Sequence, residues 1–392
     1  MEATVCDTSA FLYWRTPPLV RLLASEPVDG PLLRELLSPS EVRAFRQELI
    51  ASSPLCALAA RPDGGRAHPG VIAGAVAASA TALSVALEPP VDLLVCHPSE
   101  RSASALVRPR LCSTPTEPGG WRSVAPGVTA VSPLFSLQQI AARASLARTV
   151  MLASELCGSF SVYVAPGPVR ALLQRLVDEG RLPRVSGWSP TLDREGHLTE
   201  LWSRPPLSTP EQLGEFARRS LTARGRARLL RAAELVVAGA ASPFEVRAGM
   251  LLGLSRRLGG EGYGAFRHNQ RVPLTQGARS LARRAFLVCD IYWDAVEGRR
   301  ALDVECQSRL AHAFDEAALS DADRATALDL VGVDVVNVTY GQLTSPARFD
   351  ALSQLIAEKL GVPYRGRTSG ETDAAMRLRE EVFADWATLP LT

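Results

Sequence analysis

The sequence predicts an α/β protein, with a C-terminal α/β domain built on a mixed sheet and a separate α/β domain before it. Three observations predict it. Apolar residues make up 46% of the 392 residues, enough for buried cores and too many for a disordered chain. Two β-like runs, Val288-Cys289-Asp290-Ile291-Tyr292-Trp293 and Leu302-Asp303-Val304-Glu305-Cys306-Gln307, flank the polar turn Glu297-Gly298-Arg299-Arg300. Beyond residue 240, helical and β-like patterns follow one another in the order of a layered α/β domain. The length fits about two to three domains.

Residues 1 to about 60 read as mostly helical. Ser38-Pro39-Ser40-Glu41 is a helix start, with Ser38 as N-cap and Glu41 closing a capping box. Residues 71 to 87 read as a helix, broken by Pro89-Pro90, and Val91 to Cys96 reads as a strand. Short strands are expected near Ala105–Val107 and Val128–Val131, a helix over Ser136–Leu156 and a strand near Phe160–Val164. Arg170 to Gly180 reads as a short amphipathic helix. The polar, proline-containing stretch from Pro183 to Pro210 reads as a linker. A basic helix is expected from Pro210 to about Gly239.

Ser242-Pro243-Phe244-Glu245 then opens a helix that ends at Gly259-Gly260: Ser as N-cap, Pro in the first turn, an acid near the positive helix end. Strands follow at 270–273, 285–293 and 300–307, a helix over 310–330, a strand over 333–339 and a helix over 346–360. The tail from Gly370 to Trp386 reads as a further amphipathic helix.

The basic residues are 42 Arg and a single lysine, Lys359. Formal net charge is only +2, yet Arg218 to Arg300 holds 16 Arg against six acids, while the rest holds 27 basic and 35 acidic residues. A basic segment in a nearly neutral protein points to an anionic partner. Arg218, Arg219, Arg224 and Arg226 are the residues expected to meet nucleic-acid phosphates, with no base readout implied.

Seven scattered cysteines without a CxxC fit reduced thiols in a cytoplasm. Cys96, His97 and Cys112 lack a second ligand pair at zinc spacing. The first residues lack a basic, apolar leader. Ala67 to Leu87 is free of charges but built of small residues, which favours a packed helix over a membrane span. Gly259-Gly260-x-Gly262-x-Gly264 follows a helix and opens none, which excludes a dinucleotide loop. No helix-turn-helix signature is legible in the first third.

Asp290 and Glu305 carry the chemistry. If their runs pair as a hairpin, both carboxylates reach one site, and two carboxylates from adjacent strands suit Mg²⁺ or Mn²⁺. A cation held there can activate water against a phosphodiester. Asp303 shares the face of Glu305 by alternation and is expected in solvent or behind the site, whereas Cys306 should point to the core.

The pieces Ser242-Pro243-x-Glu245, Cys289 to Trp293, Leu302 to Glu305, His312, Asp321-x-x-Arg324-x-x-x-Leu328 and Gly332-Val333-x-Val335-Val336 together resemble a known domain. It is the very-short-patch-repair-type endonuclease domain of the PD-(D/E)XK nuclease superfamily. Thr8-Ser9-Ala10-x-x-x-Trp14 and Val91 to Leu156 resemble the N-terminal region of AbiEi-type antitoxins, and the whole looks like a group of actinobacterial proteins with both parts. The resemblance implies an AbiEi-like domain over 1–168, a linker and basic helical region over 169–239, a restriction-endonuclease-like three-layer α/β domain over 240–365 and a helical tail over 366–392.

It also implies roles. Asp290 and Glu305 would be metal ligands, and Glu245 would face the metal from its helix. His312 would position phosphate or carry a proton, and Asp321 and Arg324 would buttress the core or face the substrate backbone. Relatives carry an acid or lysine two residues after the glutamate; here Gln307 stands there, able to orient water but not to act as a strong base or cation. Two functions follow: a magnesium-dependent endonuclease acting on DNA, or a noncatalytic, antitoxin-type regulator that binds DNA or a toxin through a disabled nuclease fold. A scaffold for other proteins is a third reading.

Overall fold

The computed structural model describes residues 2–60, 71–114, 121–307 and 321–391, and it is a mixed α/β structure with three sheets. The first holds β1 (Ala3–Val5), β2 (Val91–Val95), β3 (Val107–Leu111), β4 (Arg122–Ala125) and β5 (Val128–Ala130), in the order β3-β2-β1-β5-β4. It mixes parallel and antiparallel pairs. The second is an antiparallel sheet of β6 (Phe160–Val162), β7 (Ser189–Leu192) and β8 (Leu198–Ser203), with β8 central. The third holds β9 (Arg267–Pro273), β10 (Phe286–Trp293), β11 (Ala301–Gln307) and β12 (Val333–Thr339), ordered β12-β11-β10-β9. Its first three strands are antiparallel, with a short helix over Gln276–Ala282 between β9 and β10, and β12 returns parallel to β11.

The first sixty residues are helical apart from β1. The Ser38 capping box forms: its hydroxyl accepts from the Glu41 N–H and its own N–H donates to the Glu41 carboxylate at 2.7 Å. Two expected long helices are each two shorter ones. Pro133–Ala141 and Leu146–Cys157 replace the helix over Ser136–Leu156, with Ser145 capping the second. The charge-free stretch becomes Val71–Ala78 and Ala80–Leu83. Among the described residues no helix is long and apolar enough to cross a membrane.

The stretch from Pro183 to Pro210 is not a linker. It carries the β7–β8 hairpin, because Trp188, Leu192, Leu198 and Trp202 are buried against the N-terminal helices and Leu173 and Leu176. The Asp193–Gly196 turn, with Gly196 at φ 86°, supplied the polar signal of a linker.

The basic helix is likewise two helices, Pro210–Arg219 and Arg226–Leu235, packed on each other. The buried Gln138 amide holds their turn by donating to the Thr222 carbonyl at 2.6 Å and the Arg224 carbonyl at 3.1 Å. Gly225 closes it at φ 76°, where an added Cβ would stand 2.0 Å from the Gln138 carbonyl oxygen. Gly225→Ala is therefore expected to cost at least about 2 kcal/mol, through strain and overlap, read as a lowered urea midpoint.

One apolar core crosses the expected boundaries at 168 and 365. Met151 and Leu156 of the helix Leu146–Cys157 share it with Val246 and Leu251, with Ile291 and Val304 of the third sheet, and with Leu378 and Trp386 of the tail. A smaller core covers the opposite sheet face, joining Cys289, Ala301 and Val333 to Ala327 and Leu328.

Candidate functional site: an acid cluster where a strand breaks step

Four carboxylates, three on the third sheet and one on a helix beside it, are close enough to repel one another. Glu245 comes from the helix Pro243–Gly253, whose N-cap is Ser242 as expected, with the Ser242 hydroxyl accepting from the Glu245 N–H. That helix stops at Gly253, earlier than expected. After it, the N–H groups of Glu261, Gly262 and Tyr263 fold back to donate to carbonyls of Leu251, Leu254 and Leu252. The glycine-rich loop thus closes a helix end. The Glu245 carboxylate is buried and accepts from the Ala241 N–H at 2.8 Å, the Ser242 hydroxyl at 2.9 Å and the Asn269 amide at 2.5 Å.

Asp290 sits where β10 breaks step. The strand pairs with β9 at Cys289↔Gln270 and again at Ile291↔His268, and with β11 only from Ile291 onward. Asp290 is in neither ladder. Opposite it, Asn269 adopts φ 50°, a left-handed conformation that asparagine tolerates better than most residues. Strict alternation would place residues 287, 289, 291 and 293 on one face. Instead Leu287 and Cys289 enter the smaller core, while Ile291 and Trp293 enter the larger one on the other side. In place of a ladder bond, the Asp290 carboxylate accepts the Cys306 N–H at 2.8 Å.

Glu305 reaches the cluster from β11 and is bound by Arg324 of the helix Asp321–Asp329, whose Nε donates at 3.0 Å and whose Nη2 donates to both Glu305 and the Val288 carbonyl. Arg324, expected to brace the core or face a substrate backbone, therefore turns inward onto the acids. Asp303 is not in solvent: it is fully buried, and among the described residues neither carboxylate oxygen meets a donor in good hydrogen-bond geometry. Gln307 ends β11, exposed. His312 lies outside the described residues, as do the side chain of Asp321 and the start of the helix expected from 310.

Two residues of the site went unnoticed in the sequence. Asn269 links Glu245 to the Gly239 carbonyl. His268 places Nδ1 3.1 Å from the Asp290 carbonyl, and burial pulls its pKa down to about 4. Asn269 left one faint signal: asparagine inside a β-like run is unusual.

The electrostatics follow from burial and crowding. Burial pushes the Glu245 carboxyl up to about 7, against the pull of its three donors and with added repulsion from Glu305. Burial, then Glu305 and Glu245, raise Asp290 well above the carboxylate range. Burial and Glu305 do the same to Asp303. Carboxyls in this state take up either protons or a cation.

An all-oxygen donor set fits a hard cation such as Mg²⁺ in kind. Among the described residues, however, no three His, Cys, Asp or Glu side chains are gathered closely enough to hold a metal ion. Asp290 and Glu305 would be the ligands, with Arg324 holding part of the charge on Glu305.

Of the arginines expected to meet phosphate, Arg218, Arg219, Arg224 and Arg226 are all exposed on the helical pair or its turn. Arg219 also pairs with Glu215 at 3.1 Å. Comparison of the chain with family models, curated proteins and solved structures returns no match.

Proposed function

We propose that the protein is a metal-dependent nuclease acting on DNA phosphodiesters through the acid cluster. The electrostatic coupling of Glu245, Asp290 and Glu305, with Asp290 at the interruption of β10, carries this reading. The order helix, β9, a short helix over Gln276–Ala282, β10 and β11, helix, then parallel β12 supports it, being the layered α/β order expected from the sequence with that one short helix added.

Asp290 and Glu305 would hold Mg²⁺ or Mn²⁺, which when bound supplies Lewis acidity toward phosphate and water. Asp290 is aimed by the Cys306 N–H, and Glu305 by Arg324. Glu245, with its pKa near neutrality, accepts or returns a proton at its carboxylate. Gln307 orients water through its amide. The exposed arginines of the helical pair bind backbone phosphates, so affinity falls steeply with salt.

The test is cleavage of single-stranded, duplex and branched DNA with Mg²⁺ or Mn²⁺. The expected result is metal-dependent cleavage that Glu305→Ala lowers by at least about 100-fold, the scale of losing one electrostatic catalytic group. Undiminished cleavage by Glu305→Ala would sink the assignment.

One observation favours a second reading. Arg324 already neutralises Glu305, and Gln307 offers no third charge. A noncatalytic regulator of the antitoxin type, binding DNA or a toxin in the cytoplasm, needs no more. Salt-sensitive DNA binding without cleavage by either protein would select it.

A further inference from the structure

Lys359, the single lysine among 42 arginines, plays no part in the acid cluster. It lines a groove of about 520 Å³ at the other end of the third sheet, a volume suited to a small ligand. β11 enters from this groove at Ala301 and reaches Glu305 four residues later, roughly 13 Å away at about 3.3 Å per residue. The glycine-rich loop forms one wall, the β10–β11 turn the second, and the end of the helix Pro346–Leu360 with the loop after it the third.

The groove is cationic. Arg256, Arg299, Arg300, Lys359 and Arg365 line it, against only Glu261 and Asp294. Neighbouring carboxylates aim three of these cations: Asp334 holds Lys359 at 2.7 Å and Arg300 at 3.2 Å, Asp329 also holds Arg300 at 2.7 Å, and Glu371 holds Arg365 at 2.6 Å. Both lining acids are already matched: Arg256 and Arg367 bind Glu261, and Arg267 binds Asp294. Exposed Arg299 has no carboxylate partner among the described residues.

Gly262 and Gly264 leave open space where side chains would stand. The N–H groups of Gly262 and Tyr263 are committed to helix carbonyls, so recognition of an anion falls to the side chains. Guanidinium forks and an ammonium lining a nucleotide-sized space match phosphate oxygens.

We propose that this groove binds a phosphate-bearing ligand of nucleotide size, either a free nucleotide or the phosphorylated end of a nucleic-acid strand. The site stands apart from the acid cluster, so it holds whether or not that cluster cleaves DNA.

The single lysine provides the readout. The full-length protein is acetylated with a mild amine reagent, and modification of Lys359 is followed by peptide mass spectrometry at fixed ionic strength. The probes are inorganic pyrophosphate, adenosine 5′-monophosphate and a 5′-phosphorylated tetranucleotide. The expected result is a saturable slowing of at least about fivefold, as occupancy by a bound ligand dictates, that is lost in Arg299→Ala. Slowing by pyrophosphate and the mononucleotide assigns a small-molecule site. Slowing by the tetranucleotide alone, lost in Arg299→Ala, assigns a strand end. No slowing by any probe overturns the proposal. So does slowing that persists in Arg299→Ala, because the shielding then arises elsewhere.

Discussion

Glu155→Ala is expected to lower the stability of the protein by about 3–5 kcal/mol, the cost of leaving one partner of a buried ion pair uncompensated. The Arg15 guanidinium grips Glu155 with both prongs, Nε to Oε1 at 2.9 Å and Nη2 to Oε2 at 2.6 Å. Their side chains are only 4% and 1% exposed. The Trp386 indole N–H donates to the same carboxylate at 2.6 Å, and Arg15 also donates to the carbonyls of Trp386 and Ala387.

One carboxylate thus ties the first helix, the helix Leu146–Cys157 and the C-terminal tail together. Alanine there strands a buried guanidinium and a buried indole N–H. Urea unfolding measures the loss, and hydrogen exchange should show the tail opening first. Replacing the pair jointly, Arg15→Met with Glu155→Leu, should cost clearly less than Glu155→Ala, because no charge is left stranded. A single-variant loss below about 1 kcal/mol would mean that water reaches the pair.

None of that clasp was legible in the sequence, since its members lie 140 and 231 positions apart. The readable features were those that local pattern controls. Period-two alternation placed β11 and β12 within a residue of their ends, and Ser-Pro-x-Glu placed the starts of the helices at Pro39 and Pro243. The β7–β8 hairpin was hidden because Pro, Gly and Arg dominate its turns, while its burial depends on helices far away in the chain. At the site, Asp290 and Glu305 could be named from their strands. The break at Asp290 could not, because it exists only against the ladders on either side. The Arg324 contact could not either, since it depends on how the helix Asp321–Asp329 lies across the sheet.

The crowding of those acids sets the second large effect, a stability that falls as pH rises. A carboxyl raised in the folded state binds more protons folded than unfolded, so its contribution is fully present below the unfolded pKa and is lost as pH rises through the folded value. For Glu245 the window runs from about 4.5 to about 7. The loss is about 3 kcal/mol at about 1.4 kcal/mol per unit. Asp290 and Asp303, both raised, extend the decline in the same direction.

Urea midpoints taken from pH 4.5 to 8 should therefore fall, opposite to a protein whose acids are stabilised by salt bridges. Glu245→Gln keeps the shape but removes the charge, and should flatten the curve between about pH 5 and 7. Added Mg²⁺ should recover stability at pH 8 in the wild type and much less in Glu305→Ala, because a cation that binds only the folded state stabilises it by mass action. A wild-type midpoint that rises steadily across the same range would show that the cluster is solvated and its carboxylates ionised at ordinary pKa values.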